Sequence, residues 1–279
     1  MMNIFGPTEA RHYCGSFGST PGMANGSLRD YVAITLKGTT TLVEGTQGFA
    51  AYRDCSLRDV ERFMFLAVSQ YRRFADLMLG SSASWAYVTL YYGSYYAANA
   101  LLGMFGGWVN NRTVIDVEVN APGQQALRIS RGVKTIYQGS HRAFWECFYD
   151  AVAPLYPWAD RTLGFALQPV SGSVTWQIDN RNLINYDSFA AHEFMAQFHA
   201  GFRRSKFPAA LPGVLNTQYQ VFEALMLLTC SFMRQFGLVT DALAGFPSGG
   251  NRRAKIRALV FEAETPNLGV RLRRRGVLV

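Results

Sequence analysis

The stretch Ser84–Gly103, SWAYVTLYYGSYYAANALLG, decides the fold. It lies within a run of 35 positions, Leu77 to Asn111, that contains no charged residue. Two structures suit such a run. One is a transmembrane helix, for which about 20 apolar residues suffice; the other is the central helix of a bundle, apolar on every side. The placement of polar groups separates them. Tyr87, Tyr91, Tyr92, Tyr95 and Tyr96 occupy the first half and middle of the run, not the two ends where interfacial aromatic belts form. Ser94 and Asn99 add polarity in mid-span, and long aliphatic side chains are few. The reading is a buried bundle helix, capped by Ser84 and stopped by Gly106-Gly107, with no membrane partner. A membrane-associated helix over 85–109 is the competing reading.

Working outward, Ser56-x-x-Asp59 is close to a capping box. It opens an amphipathic pattern in which Leu57, Val60, Met64, Ala67, Tyr71, Ala75 and Met78 recur at three- and four-residue steps until Gly80. Before it, Tyr31–Leu36 and Thr39–Glu44 flank Lys37-Gly38 and read as a β-hairpin. After the central helix, Thr113–Val119 and Ala126–Ser130 flank the turn Asn120-Ala-Pro-Gly123 and read as an inserted hairpin within 108–135. Helical periodicity resumes from Ser140 to Leu155 and closes at Pro154 and Pro157. It returns over about 180–203 and 216–236. The expected fold is mainly α: an antiparallel bundle of four to five helices with an N-terminal β-hairpin extension and an inserted β-hairpin. The expected segments are a β-containing extension (1–55), the bundle (56–246) and a basic tail (247–279).

The chain has 279 residues, 49% of them hydrophobic. That content excludes a disordered chain and a disulfide-stapled mini-protein. Net charge is +8, and 23 of the 27 cations are Arg, the side chain whose planar fork suits phosphate and carboxylate. Residues 251–279 carry +6 of that charge, so the basic character belongs to the tail. Cys14, Cys55, Cys147 and Cys230 stand singly, which argues against zinc ribbons and redox pairs. Reduced thiols and the lack of a secretory pattern in Met1–Gly18 point to a cytoplasmic protein. No cofactor and no metal are expected. His192 and His199, seven residues apart, are too few ligands for zinc.

None of the four histidines sits in a recognised catalytic motif. The informative stretch is Asp179-Asn180-Arg181-Asn182-Leu183-Ile184-Asn185-Tyr186. It resembles the signature of the HEPN superfamily, in which an Arg, commonly followed by a polar residue, lies four to six residues before a His. The Tyr/Ala-rich helix ahead of it and the helical layout over roughly 56–236 resemble that superfamily too. This chain departs from the signature at its end, where Tyr186 replaces the His, with Asp187 and Ser188 following.

The resemblance implies metal-independent RNA cleavage by a toxin or defence effector, with Arg181, Asn182, Tyr186 and His192 as candidate site residues. In that chemistry a 2′-hydroxyl attacks the adjacent phosphorus. Arg181 suits the phosphorane charge, and Asn182 suits orientation of phosphate or ribose. A phenol, titrating near 10, is a poor general base, so Tyr186 suits hydrogen bonding or base stacking. The alternative is a non-catalytic HEPN-like subunit that assembles with a nucleic-acid-handling partner. Tyr186, Ala190, Phe194, Phe198 and Phe202 also step by four along one line, which reads simply as core. Arg181, Asn185, Ser188, His192 and His199 form a second, polar line. On one continuous helix His192 stands about 16 Å from Arg181. The two meet only if helices from two subunits pack about a two-fold axis, as the resemblance implies for a homodimer. Arg203, Arg204 and Lys206 read as cations at a helix C-terminus or as phosphate contacts. Arg273, Arg274 and Arg275 read as a solvated tail or as a contact to RNA or another polyanion.

Overall fold

The uncharged stretch forms a helix that is buried along almost its whole length, and the rest of the chain is arranged around it. The computed structural model describes residues 2–17, 27–79, 82–110, 112–118, 124–133, 140–159, 163–202 and 211–238. In chain order the main elements are α1 (Pro7–Gly15), α2 (Leu28–Asp30), β1 (Thr41–Val43), α3 (Gln47–Leu79) and α4 (Ala83–Met104). They continue with β2 (Trp108–Asn110), β3 (Thr113–Val117), β4 (Ala126–Arg131), α5 (Ser140–Val152), α6 (Trp176–Tyr186), α7 (Ser188–Gly201) and α8 (Gly213–Gln235). The class is mainly α with a small four-stranded antiparallel sheet.

Helix α4 is the uncharged stretch. It packs on α3 and α8 and also touches α5, α6 and α7, which is why every face had to be free of charge. Among the described residues, no helix is long and apolar enough to cross a membrane. A polar chain crosses this apolar interior. Gln218 of α8 donates to Ser94 of α4 (2.8 Å) and to Gln177 of α6 (2.9 Å), and Gln177 donates to the Tyr149 hydroxyl of α5 (3.1 Å). Tyr87 donates to Gln218 (3.3 Å). Both Gln side chains are buried, so each link satisfies a group that is costly to leave unpaired. The network fixes α6 against α4 and α5, and therefore fixes the site.

Three expectations are corrected. The N-terminal hairpin is absent: Tyr31–Thr35 is a π-helical turn continuing α2, and Ser27 caps that helix by accepting from the Asp30 amide (3.0 Å). Tyr31, Val32 and Leu36 face the core from this turn. β1 pairs instead with β4, Leu42 opposite Leu127, so the inserted hairpin of β3 and β4 becomes the middle of the sheet. Its turn, residues 120–123, lies outside the described residues. Next, α3 begins at Gln47 and not at Ser56. Thr46 Oγ1 accepts from the Phe49 amide (3.2 Å), and Ser56 lies inside the helix with its hydroxyl on the Gly103 carbonyl (3.4 Å). Arg53 and Asp54 interrupt the apolar pattern, yet both are buried, and they pair with each other at 3.1 Å. Lastly, the helix expected over 180–203 is two helices. Asp187 takes extended angles (φ −100°, ψ 116°) and caps α7 by accepting from the Ala190 amide (2.8 Å). The proposed apolar line is broken there: Phe194 and Phe198 are buried, whereas Tyr186 is 73% exposed.

Candidate functional site

Helix α6 follows Thr175 and places Asp179 in its first turn, where a carboxylate suits the helix dipole. Gln177, Ile178 and Ile184 turn inward. Arg181 is left on the face toward α4 and α5, partly buried. Its guanidinium carbon lies 5.7 Å from the Tyr91 ring centre, 5.5 Å from Tyr92 and 5.7 Å from Tyr186. Such contacts stabilise a cation by about 0.5–2 kcal/mol each. Nη2 donates to the Tyr92 hydroxyl and Nη1 to Asn182 Oδ1, both at 2.7 Å.

Every partner of Arg181 among the described residues is thus neutral. The acid nearest in sequence, Asp179, accepts a 2.7 Å bond from Arg142 instead. Among the described residues no carboxylate pairs with Arg181. Nε is buried without a hydrogen-bond partner. A guanidinium carries five N–H groups, so one proton on each terminal nitrogen is also uncommitted. The result is an oriented, uncompensated cation on an aromatic shelf, the arrangement that accepts an anion.

His141, in the first turn of α5, shares that shelf. Its Nδ1 lies 2.7 Å from the Tyr91 hydroxyl. Its ring is 4.5 Å from the Tyr95 ring, 5.8 Å from Tyr91 and 5.9 Å from Tyr92, measured between centres. Burial, with the charge of Arg181 added, holds the imidazole below its usual 6.5, so the neutral ring prevails at neutral pH. Burial also pushes the Tyr91 and Tyr95 hydroxyls up. These phenols act as neutral hydrogen-bonding groups and leave Arg181 as the charge of the shelf.

Of the residues expected from sequence, Arg181, Asn182 and Tyr186 are brought together. His192 is not: it is exposed on α7 beyond the break at Asp187 and shares no hydrogen bond or ring contact with Arg181 among the described residues. The expectation of one polar face running from Arg181 to His199 is corrected for the same reason. Arg203, Arg204, Lys206, Arg273, Arg274 and Arg275 lie outside the described residues. His141 was not a sequence candidate. It is 40 positions from Arg181 and belongs to no motif; only the packing of α5 beside α4 and α6 reveals it. Among the described residues no group of three or more His, Cys, Asp or Glu side chains is placed to hold a metal. No family model, curated protein or solved structure matches the chain.

Proposed function

We propose that this is an RNA-directed, HEPN-type protein whose α6 site binds a backbone phosphate on Arg181 and Asn182 and promotes metal-independent cleavage of the strand. The observation that carries the reading is the uncompensated charge of Arg181, held in a fixed orientation by neutral partners. A guanidinium paired to a carboxylate would have little to offer a phosphate; one held by a phenol and an amide keeps its full charge for the ligand. The exposed Tyr186 ring and the partly exposed Tyr92 ring beside Arg181 add surfaces on which an unstacked base can lie, the mode by which single-stranded RNA is recognised. Burial of the Tyr/Ala-rich α4 beside the helix bearing Arg181 supports the HEPN-like arrangement.

The test is incubation of a single-stranded RNA with the full chain in EDTA. The parent protein cleaves, and Arg181→Ala loses cleavage; a parent that leaves the RNA intact overturns the catalytic part.

A second reading, a non-catalytic subunit of a nucleic-acid-handling complex, is favoured by the apolar surface around the α6–α7 break. Leu183 is 48% exposed, and Tyr186 and Phe189 are each 73% exposed. Such a group suits association with a protein. RNA binding without cleavage, combined with a mass above that of the monomer in light scattering, would favour it.

A further inference from the structure

We propose that His141, reaching the site from α5, is the proton acceptor for RNA cleavage, taking the 2′-hydroxyl proton of a strand whose scissile phosphate lies on Arg181. This deepens the RNA-directed reading and rests on it. The motif position that would carry an imidazole holds Tyr186, while an imidazole stands at the same shelf by another route. His141 and Arg181 are joined through shared partners: Tyr91 binds His141 Nδ1 at 2.7 Å and lies under the guanidinium, and Tyr92 accepts from Arg181 while its ring edge meets the imidazole.

The chemistry follows from this placement. The proposed step uses the tautomer in which Nδ1–H donates to the Tyr91 oxygen, which puts the lone pair on Nε2. As the 2′ oxygen bonds to phosphorus, its proton passes to Nε2. The bond from phosphorus to the 5′ oxygen breaks, and that oxygen takes a proton from water. The products are a 2′,3′-cyclic phosphate and a 5′-hydroxyl, and the imidazolium returns its proton to solvent. Negative charge developing on the phosphoryl oxygens meets Arg181, which needs no reorganisation to receive it. The groups facing His141 are Tyr91, Tyr92 and Tyr95 of α4 and Arg181 of α6, with Asp179 of α6 engaged by Arg142 beside it. None of these supplies a free carboxylate to hold the imidazole protonated, so the base form is the resting form.

The experiment compares the parent with His141→Gln, His141→Asn and Arg181→Ala, all as full chains. Cleavage of a single-stranded RNA is followed in EDTA from about pH 4 to about pH 8, spanning the histidine range. Binding is measured with the 2′-O-methyl form of the same strand, which has no nucleophile. The expected result is a loss of about 10²–10⁴-fold in cleavage rate for either His141 variant, with binding within about threefold of the parent. The parent's rate falls in acid with a single midpoint below the ordinary 6.5 of histidine, and that limb is missing from the residual activity of the variants. His141 variants that cleave like the parent while Arg181→Ala does not overturn the inference and leave the RNA-directed reading intact. A parent rate with no acid limb overturns it even if neither variant folds. A parent that binds the strand through Arg181 but never cleaves it overturns the inference together with the catalytic reading, and an absence of binding overturns the site altogether.

Discussion

Arg181 and Tyr92 tie α6 to α4: the guanidinium donates a 2.7 Å hydrogen bond to the phenol oxygen and sits 5.5 Å from the centre of the same ring. The pairing orients the cation without neutralising it. Tyr92→Phe removes the acceptor and keeps the ring. A partly exposed, charge-assisted hydrogen bond is lost, so unfolding stability falls by about 1–2 kcal/mol. Urea unfolding followed by circular dichroism measures this; an unchanged midpoint would show that the bond does not hold the helix.

The second prediction concerns the buried amide network behind the site. Gln218→Leu is close in volume but strips Gln177 and Ser94 of their donor and Tyr87 of its acceptor. Several buried polar groups lose partners together, and the expected cost is about 2–4 kcal/mol. Hydrogen exchange reads the local consequence: the amides of α6 should exchange faster than in the parent, and those of α3, which contributes no member of the network, should not.

At Gly93 two effects oppose each other. In a helix Gly→Ala ordinarily gains about 1 kcal/mol. Here the added Cβ would stand 2.7 Å from Phe222 Cε2 and 2.9 Å from Cδ2. Phe222 is fully buried and stacked on Tyr71 at 5.4 Å, so its ring cannot give way. Overpacking of this kind costs about 1–3 kcal/mol, and the sign is net destabilisation. A thermal melt of Gly93→Ala that matches or exceeds the parent would show that the Phe222 ring yields to the added methyl.

The lowered affinity of His141 for a proton also enters folding stability. The unfolded chain binds that proton more readily, so the contribution is complete above the ordinary 6.5 and is lost as pH falls toward the folded value. His141→Gln should therefore flatten the acid side of the stability curve and leave the neutral side nearly level. Denaturant midpoints of parent and variant across this range decide it; parallel curves would mean that the imidazole titrates as in water.

The elements legible in the sequence were those whose burial is written in local pattern. α4 showed itself because every face is covered, and no charge is tolerated on it. α5 showed itself through helical periodicity from Ser140 that closes at Pro154, two residues past its last, Val152. Arg181 stood out through the resemblance of residues 179–186 to a spaced motif. What was missed depends on partners far away in the chain. Arg53 and Asp54 carry charge, and nothing local in the sequence signals that both are buried and paired with each other. Tyr31–Leu36 has strand-forming residues, yet it forms a helical turn that buries Tyr31, Val32 and Leu36 and leaves Ile34 exposed. Asp187 could equally stand within a helix or cap one, and its hydrogen bond to the Ala190 amide decides between them. His141 carries no local signal, because its meaning lies in Tyr91, Tyr92 and Arg181, which two other helices supply.

The most direct measurement is the fluorescence anisotropy of a labelled, 2′-O-methyl single-stranded RNA titrated with the full chain and with Arg181→Ala. The parent should bind, with an affinity that declines as salt rises. Loss of one charge-assisted phosphate contact, about 1.5–3 kcal/mol, should weaken Arg181→Ala by roughly 10- to 100-fold. Equal binding by the two proteins, or no binding by the parent, would contradict the account.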